Sequence, residues 1–325
     1  MGQRGEFDLI RELFSPLARK APGALGLQDD SAILSHSAGH ELVVTMDTIL
    51  AGVHFMLTDP YDLIARKAIR VNLSDLAAMG ARPIGLFLAI SLPETVGDDE
   101  LVAFANGIAQ DCEEYNLPIL GGDTTSGTET FTVTVTAVGE VETGMELLRS
   151  GAKVGDKIFV SGTIGDAAVG LKVLGGFVDG IDSAEKTYLR GRYQLAEPRL
   201  NLGRGLLGIA SACIDISDGL IADFDHVCQA SGIGGRINLM DVPLSAVVKR
   251  LLHSEEWWET VLTGGDDYEL LFTAAPEKEK QVYETAKKVK VPVTAIGYIE
   301  DGAEAIILDA NNTKLEFPYK GYQHR

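Results

Sequence analysis

Five aspartates stand where apolar runs meet loops. Asp29 and Asp30 precede Ala32-Ile33-Leu34, Asp47 closes the run Leu42 to Met46, Asp123 follows Ile119-Leu120-Gly121-Gly122, and Asp215 ends Ala212-Cys213-Ile214. Any one of them could cap a helix or shape a turn, since Asp is favoured at both places. The set exceeds what turn chemistry requires, and strand ends on a rigid scaffold are where ligands usually sit. Asp75 is more telling. Ile64, Ala68, Val71, Asp75 and Ala78 are spaced by four, three, four and three, which puts them on one helical stripe. A carboxylate on an apolar face needs an ion pair or a metal. Arg66, Lys67, Arg70 and Arg82 are the candidate ion-pair partners. A metal is the alternative once the other acids are counted. Oxygen ligands far apart in sequence, without His or Cys company, suit magnesium rather than a calcium loop.

The charge of the whole chain leads to the same ion. With 47 acidic and 28 basic residues the net charge is −19, so an anionic substrate would have to arrive with cations. Several Mg²⁺ ions held by Asp30, Asp47, Asp75, Asp123 and Asp215 would let such a chain bind a polyphosphate and neutralise charge on a transferred phosphoryl group. The chemistry expected is ATP-dependent phosphoryl transfer. Glycines beside the acids, in Gly121-Gly122-Asp123 and Gly264-Gly265-Asp266, let backbone approach a ligand closely. Ser161-Gly162-Thr163-Ile164-Gly165 is either a backbone phosphate donor or a tight turn, since no Walker lysine follows it. Ser217 and Asp218 are helix N-caps or ligand contacts. His54, seven residues past Asp47, is a candidate substrate contact, whereas His36, His40, His226 and His253 read as surface or packing residues. No Ser/His/Asp or Cys/His arrangement can be traced, so no catalytic nucleophile is expected.

Elements that would position these residues are legible in the hydrophobic pattern. Glu41 to Asp47 is a strand, Pro60 opens a helix that ends near Gly80, Pro83 to Pro93 is a strand, Asp98 to Tyr115 a helix, Pro118 to Gly122 a short strand and Thr130 to Val141 a long one. The pattern restarts with Lys157 to Gly162, the helix after Gly165, the strand Ala212 to Ile216, the helix Leu220 to Ala230, strands Tyr268 to Ala274 and Val293 to Ile299, and a helix between them. Two α/β domains follow, divided in the turn-rich stretch 142–156, giving 1–145 and 146–325. The opening MGQRGEFDLIRELF is an amphipathic helix pattern rather than a signal peptide, and no apolar run reaches the roughly 18 residues of a membrane span. A cytoplasmic protein without membrane or nucleic-acid partners is expected, because Lys and Arg form no cluster. Cys112, Cys213 and Cys228 are expected to be buried thiols.

These residues together resemble the thiamine-monophosphate kinase family, within the fold family that also holds aminoimidazole ribonucleotide synthetase and selenophosphate synthetase. The likeness runs from Gly5-Glu6-Phe7 to Gly321-Tyr322. It is carried by Asp29-Asp-Ser-Ala32, Thr45-Met-Asp-Thr48, Gly52-Val-His-Phe55, Val71 to Gly80, Gly121-Gly-Asp-Thr124, Arg149-Ser-Gly-Ala152, Val160 to Asp166, Asp215 to Gly219 and Gly264 to Leu270. The resemblance implies that Asp30, Asp47, Asp75, Asp123 and Asp215 hold the Mg²⁺ cluster, with Thr45 and the backbone of Met46 nearby and Asp218 on a further ion. It implies ATP contacts at Gly122, Asp123, Arg149 and Ser217, and thiamine monophosphate contacts at His54, Asp266 and Tyr322. The implied reaction moves the γ-phosphoryl of ATP directly onto the substrate phosphate, giving thiamine diphosphate. The implied fold has an N-terminal domain, binding ATP and magnesium, whose sheet pairs with its copy in a homodimer, and a C-terminal domain closing the cleft. Two departures stand out: Gln28 where many relatives have Gly, and Asp266 where many have Glu, which shortens reach by about a methylene so that a water could bridge. The rivals are a purine-pathway synthetase of the same fold and a non-catalytic nucleotide or metal sensor. Selenophosphate synthetase and the hydrogenase-maturation relatives are disfavoured by the missing N-terminal and terminal cysteines.

Overall fold

The computed structural model describes residues 6–252, 255–318 and 320–322, so His253 lies outside the described residues. The chain divides into two compact units. One comprises residues up to Leu76 with Ala81–Gly144, the other Ala77–Gly80 with residues from Met145 on.

The first unit opens with α1 (Glu6–Leu9), continuing through a π turn at Ile10–Phe14 and 3-10 turns at Ser15–Ala18 and Pro22–Leu27. The amphipathic pattern of the sequence start thus gives a succession of short helical pieces. Pro16 and Pro22 interrupt any longer helix, because proline lacks the N–H that would continue it. Four strands follow: β1 (His40–Leu50), β2 (Arg82–Leu92), β3 (Ile119–Ser126) and β4 (Thr132–Glu142), in the order β1-β4-β2-β3. β4 is antiparallel to β1 and β2, while β2 and β3 run parallel. The parallel pair is joined through α3 (Asp98–Glu114), as a parallel crossover requires. Between β1 and β2 lies α2 (Tyr61–Ala78), whose buried face includes the predicted stripe residues Ile64, Ala68, Val71 and Ala78.

Two positions differ from the sequence expectation. Asp47 lies inside β1 rather than at its end, and Asp123 lies inside β3, which continues to Ser126. Both apolar runs stop while backbone pairing continues: Asp47 pairs with Val135 and Asp123 with Ala89. Polar side chains here interrupt the apolar runs without reversing the chain.

The second unit is built on seven strands in the order β11-β10-β7-β9-β5-β8-β6. They are β5 (Lys157–Ser161), β6 (Ala212–Asp215), β7 (Gly234–Asn238), β8 (Leu270–Ala274), β9 (Val293–Glu300), β10 (Ala305–Leu308) and β11 (Lys314–Leu315). β10 and β7 are parallel, and the other neighbours are antiparallel. Its helices are α4 (Asp166–Leu174), α5 (Ser183–Gln194), α6 (Leu200–Gly205), α7 (Leu220–Ser231), α8 (Ala246–Leu251), α9 (Glu255–Thr263) and α10 (Glu279–Val289). One core packs Val160, Ile214, Leu220, Phe224 and Ile296, and a second packs Phe159, Cys213, Leu202, Phe272 and Val282. The two faces of β5 and β6 supply both, as alternation along a doubly covered strand demands. All three cysteines are free and buried, as expected. Burial pushes the Cys112 and Cys228 thiols up to about 12, which keeps them unreactive at neutral pH.

Candidate active site

In the first unit the acids fall into two groups. Thr45 and Asp47 alternate with Met46 on β1, so their side chains leave the opposite face of the strand. Thr45 Oγ1 donates to Asp75 Oδ2 at 2.5 Å, and Asp47 N–H donates to Asn72 Oδ1 at 3.1 Å. Asn72 is one turn ahead of Asp75 on α2 and anchors itself by donating to Ala68 O. Burial, followed by the charge of Asp75 and a hydrogen bond with it, pushes the Asp47 carboxyl up to about 6. Two carboxylates this close cannot both ionise cheaply, so the pair holds a proton or a cation between them. Of the cations considered for Asp75, Arg66 and Arg70 bind Asp111 and Glu114, and Arg82 binds Glu140.

Met46, on the other face, lines a pocket of about 460 Å³ together with Asp29, Asp30, Gly122 and Asp123. Its apolar wall includes Ile10, Phe14, Leu27 and Phe87. Gly122 is required there: a Cβ would lie 2.0 Å from Leu88 O on the neighbouring parallel strand. Asp30 N–H donates to Asp29 Oδ1, and Asp30 and Asp123 are exposed carboxylates. An apolar pocket rimmed by exposed carboxylates suits a ligand carrying a flat apolar group and a metal-bound anion.

His54 sits in the turn after β1. Its Nδ1 accepts the Leu50 N–H at 3.1 Å, so a neutral ring carries its proton on Nε2. The buried Lys67 ammonium donates to His54 O at 2.8 Å and fixes the turn from below. Lys67, one of the partners considered for Asp75, thus also serves the loop that carries His54.

In the second unit Asp215 ends β6 and is 3% exposed. Beyond it the chain pairs with the Gly264 to Leu270 motif: Ile216 N–H donates to Glu269 O, Tyr268 N–H to Ile216 O and Asp266 N–H to Ser217 O, at 2.8 to 2.9 Å. Tyr322 N–H donates to Asp218 O at 3.0 Å. Asp215, Ser217, Asp218, Asp266 and Tyr322, spread over more than a hundred residues, are therefore gathered at one end of this sheet. Arg149 is exposed, and its carbonyl accepts from Ser231 Oγ.

Residues that sequence reasoning passed over complete the arrangement. Asp223 Oδ2 accepts the N–H groups of Asp218 and Gly219, each at 3.1 Å. Asp223 does this from within α7, whose N-cap is Gly219, so neither Ser217 nor Asp218 caps the helix. Burial, then the charges of Asp215 and Asp218, pushes the Asp223 carboxyl well above its ordinary range. Asp218, Asp223 and His226 offer ligand atoms within 4.8 Å of one another, so His226, exposed as one of its expected roles has it, lies at the edge of the acidic group. Asp223 was detectable from its place four residues after a glycine that opens a helix.

Three of the backbone donors in Ser161 to Gly165 are engaged within the protein. Gly162 N–H donates to Pro292 O, Ile164 N–H to Pro243 O and Gly165 N–H to Asp267 Oδ2. With these donors committed within the protein, the tight-turn alternative is favoured.

Comparison with known proteins agrees with this geometry. Residues 28–141 match the AIR synthase related protein N-terminal domain, and residues 153–309 match the AIR synthase related protein C-terminal domain. The chain is 39% identical to the thiamine-monophosphate kinase of Escherichia coli strain K12 over 323 residues, covering 98% of both chains. It is similar to the crystal structure of thiamine-monophosphate kinase from Stenotrophomonas maltophilia, with a TM-score of 0.83 and 38% identity over 91% of this chain and 96% of that one. It is also similar to AaThiL complexed with AMPPCP and TMP, with a TM-score of 0.78 and 30% identity over 99% and 97% of the two chains. Among the described residues no helix is long and apolar enough to cross a membrane. With both halves of the chain matched, and curated relatives aligned over nearly its whole length, the chain belongs to the thiamine-monophosphate kinases, enzymes of the AIR synthase related family.

Proposed function

We propose that the chain phosphorylates thiamine monophosphate to thiamine diphosphate by direct, in-line transfer of the γ-phosphoryl group of ATP, dependent on Mg²⁺. The observation that carries this reading is the Asp47–Asp75 pair, two carboxylates held together by Thr45 and Asn72, which calls for a cation. Its donors are oxygen alone, which fits magnesium. Asp30, Asp47, Asp75, Asp123, Asp215 and Asp218 are the side chains that would hold such ions, with Thr45 and Met46 O beside them. When bound, magnesium neutralises the phosphate oxygens and the charge that develops on the transferred group.

The chain's own residues orient the reactants. The apolar wall of the Asp30–Asp123 pocket receives the nucleotide, with Gly122 leaving room for backbone approach; in the second unit, Arg149 and Ser217 are the proposed nucleotide contacts. His54 Nε2–H, Asp266 and Tyr322 bind the thiamine substrate, an aromatic ring or a carboxylate being a fitting neighbour for the cationic thiazolium. A substrate phosphate oxygen attacks the γ-phosphorus, the bond to the β–γ bridging oxygen breaks, and ADP leaves with that electron pair. The attacking oxygen is already anionic, so no general base or enzyme nucleophile is needed. That the relative AaThiL is complexed with AMPPCP and TMP supports a ternary complex, as direct transfer requires.

A homodimer through the first sheet is part of the same reading. β1 is an edge strand, and Leu42, Val44 and Met46 expose a row of apolar side chains on one face. An edge of that kind is covered in most native proteins. Sedimentation of the purified protein should give twice the 34.8 kDa chain mass, and a monomer would discard the dimer.

The test of function is product analysis with Mg-ATP and thiamine monophosphate, with EDTA and with Asp75→Asn as controls. Thiamine diphosphate and ADP should form in equal amounts and only with magnesium, and Asp75→Asn should lose turnover on the order of a thousandfold while keeping its melting temperature. ATP turnover without thiamine diphosphate would instead place the enzyme among the purine-pathway members of the fold.

A further inference from the structure

The stretch Gly264 to Glu269 presents Asp266 from backbone that an unsupported chain would leave. Gly265, Asp266 and Tyr268 have φ of 69°, 63° and 51°. Asp266 and Tyr268 carry a Cβ, so this left-handed conformation persists only where the surroundings over-determine it. Those surroundings centre on Glu269, which is fully buried. Its carboxylate receives Arg199 through two parallel bonds, one from Nε at 2.6 Å and one from Nη2. It also receives Arg192 Nη2 at 3.0 Å and Ser161 Oγ at 2.5 Å. Ser161 Oγ in turn accepts the Leu270 N–H at 2.9 Å. The carboxylate fills the space over Gly162, where a Cβ would come 2.0 Å from Glu269 Oε1.

Backbone bonds carry this anchoring to the site. Glu269 O accepts Ile216 N–H, Ile216 O accepts Tyr268 N–H, and Ser217 O accepts Asp266 N–H. Gly265 lies so close to Ser217 that a Cβ would meet its carbonyl at 2.3 Å. One fixed carboxylate thus sets the register between the Asp266 strand and the segment from Asp215 to Asp218. An Arg fork on a carboxylate is the geometry that fixes orientation best, because two parallel bonds remove rotation as well as separation.

We propose that Glu269, clamped by Arg199 and Arg192, is a positioning residue for substrate recognition: it holds Asp266 in its left-handed conformation against Ser217 and so sets affinity for the thiamine substrate. The inference rests on the functional reading above for what Asp266 binds. The carboxylate itself takes no part in transfer.

Arg199→Lys tests it, since lysine keeps the charge but cannot form the fork. The Michaelis constant for thiamine monophosphate should rise about tenfold, and kcat should stay within about threefold. In an Asp266→Ala background the same substitution should change that constant by less than about twofold, because its route of action is already gone. Ser161→Ala, which removes one hydroxyl, should shift the constant in the same direction by a smaller factor. Equal multiplication in both backgrounds would mean general destabilisation and overturn the proposal. So would an unchanged Michaelis constant in Arg199→Lys. Hydrogen exchange judges the clamp independently of turnover: the Asp266 and Tyr268 amides should exchange faster in Arg199→Lys while those of α10 do not, and unaltered exchange would also overturn it. A wild-type protein that makes no thiamine diphosphate would sink the functional reading and leave the exchange result to decide on the clamp.

Discussion

The molecule contains the same three residues, Gly-Gly-Asp, in two settings, and they do different work. At Gly121-Gly122-Asp123 the backbone is an extended strand, and glycine is needed because β2 lies against it, with Leu88 O 2.0 Å from where a Cβ would stand. The aspartate that follows is exposed on a pocket rim beside other carboxylates. At Gly264-Gly265-Asp266-Asp267 the backbone is left-handed at Gly265, and glycine answers both a positive φ and a close approach. Here the second aspartate, Asp267, turns inward, is 2% exposed, and accepts the N–H groups of Gly165 and Ala167 at the start of α4. The difference lies in the partners. A carboxylate surrounded by carboxylates needs a cation to be comfortable, whereas one facing backbone N–H groups is already satisfied and belongs to the architecture.

Asp123→Asn puts the first half of that contrast at risk. If Asp123 holds an ion and not a fold, the substitution should lower kcat/KM on the order of a hundredfold or more. The melting temperature of the metal-free protein should not fall, because an exposed carboxylate in acidic company stabilises little. Titration with Mg²⁺ at fixed ATP should show a higher magnesium requirement. A variant with normal turnover and a normal magnesium requirement would remove Asp123 from the ion-binding set.

How far such distinctions can be read before a structure exists depends on the range of the interaction involved. The stripe that put Asp75 on an inner face of α2 was legible because helical period is local, and Ile64, Ala68, Val71 and Ala78 are indeed buried. The strands β1, β2, β4, β5 and β6 were legible from apolar runs for the same reason. β7, β10 and β11, and the helices α5, α6, α8 and α9, were not read. Gly234 and Gly235 open β7, while α5 is strongly polar, and glycine and charge both blur periodicity. The site showed a parallel split. Asp30, Asp47, Asp75, Asp123 and Asp215 stand out in the sequence because acids beside apolar runs are conspicuous. That Arg66 and Arg70 serve Asp111 and Glu114 on α3, some forty residues on, is a tertiary fact with no local signature. The same holds for Ser161 to Gly165, where the N–H groups of Gly162, Ile164 and Gly165 are taken by Pro292, Pro243 and Asp267, all distant in sequence.

Asp267→Asn sharpens the second half of the contrast, with the smallest effect. Burial is the main cause that pushes the Asp267 carboxyl up to about 8, against the opposing pull of the Gly165 N–H and the Arg192 charge. Its unfolded value is about 3.9. Between those two values the folded protein keeps a proton that the unfolded chain has released, so this group's contribution to stability is full below pH ~4 and declines as pH rises towards ~8. Asparagine has an oxygen to accept the Gly165 N–H and no proton to lose, so it stands in for the protonated acid. At or below pH ~4 the variant and the wild type should melt together. At pH 9 the variant should melt a few degrees higher, because the wild type then carries a buried charge. Melting curves recorded across that range check the sign. If Asp267→Asn instead loses stability equally at every pH, the carboxylate is ionised throughout and its bonds to Gly165 and Ala167 depend on its charge, which would bring Asp267 closer to Asp123 than its burial suggests.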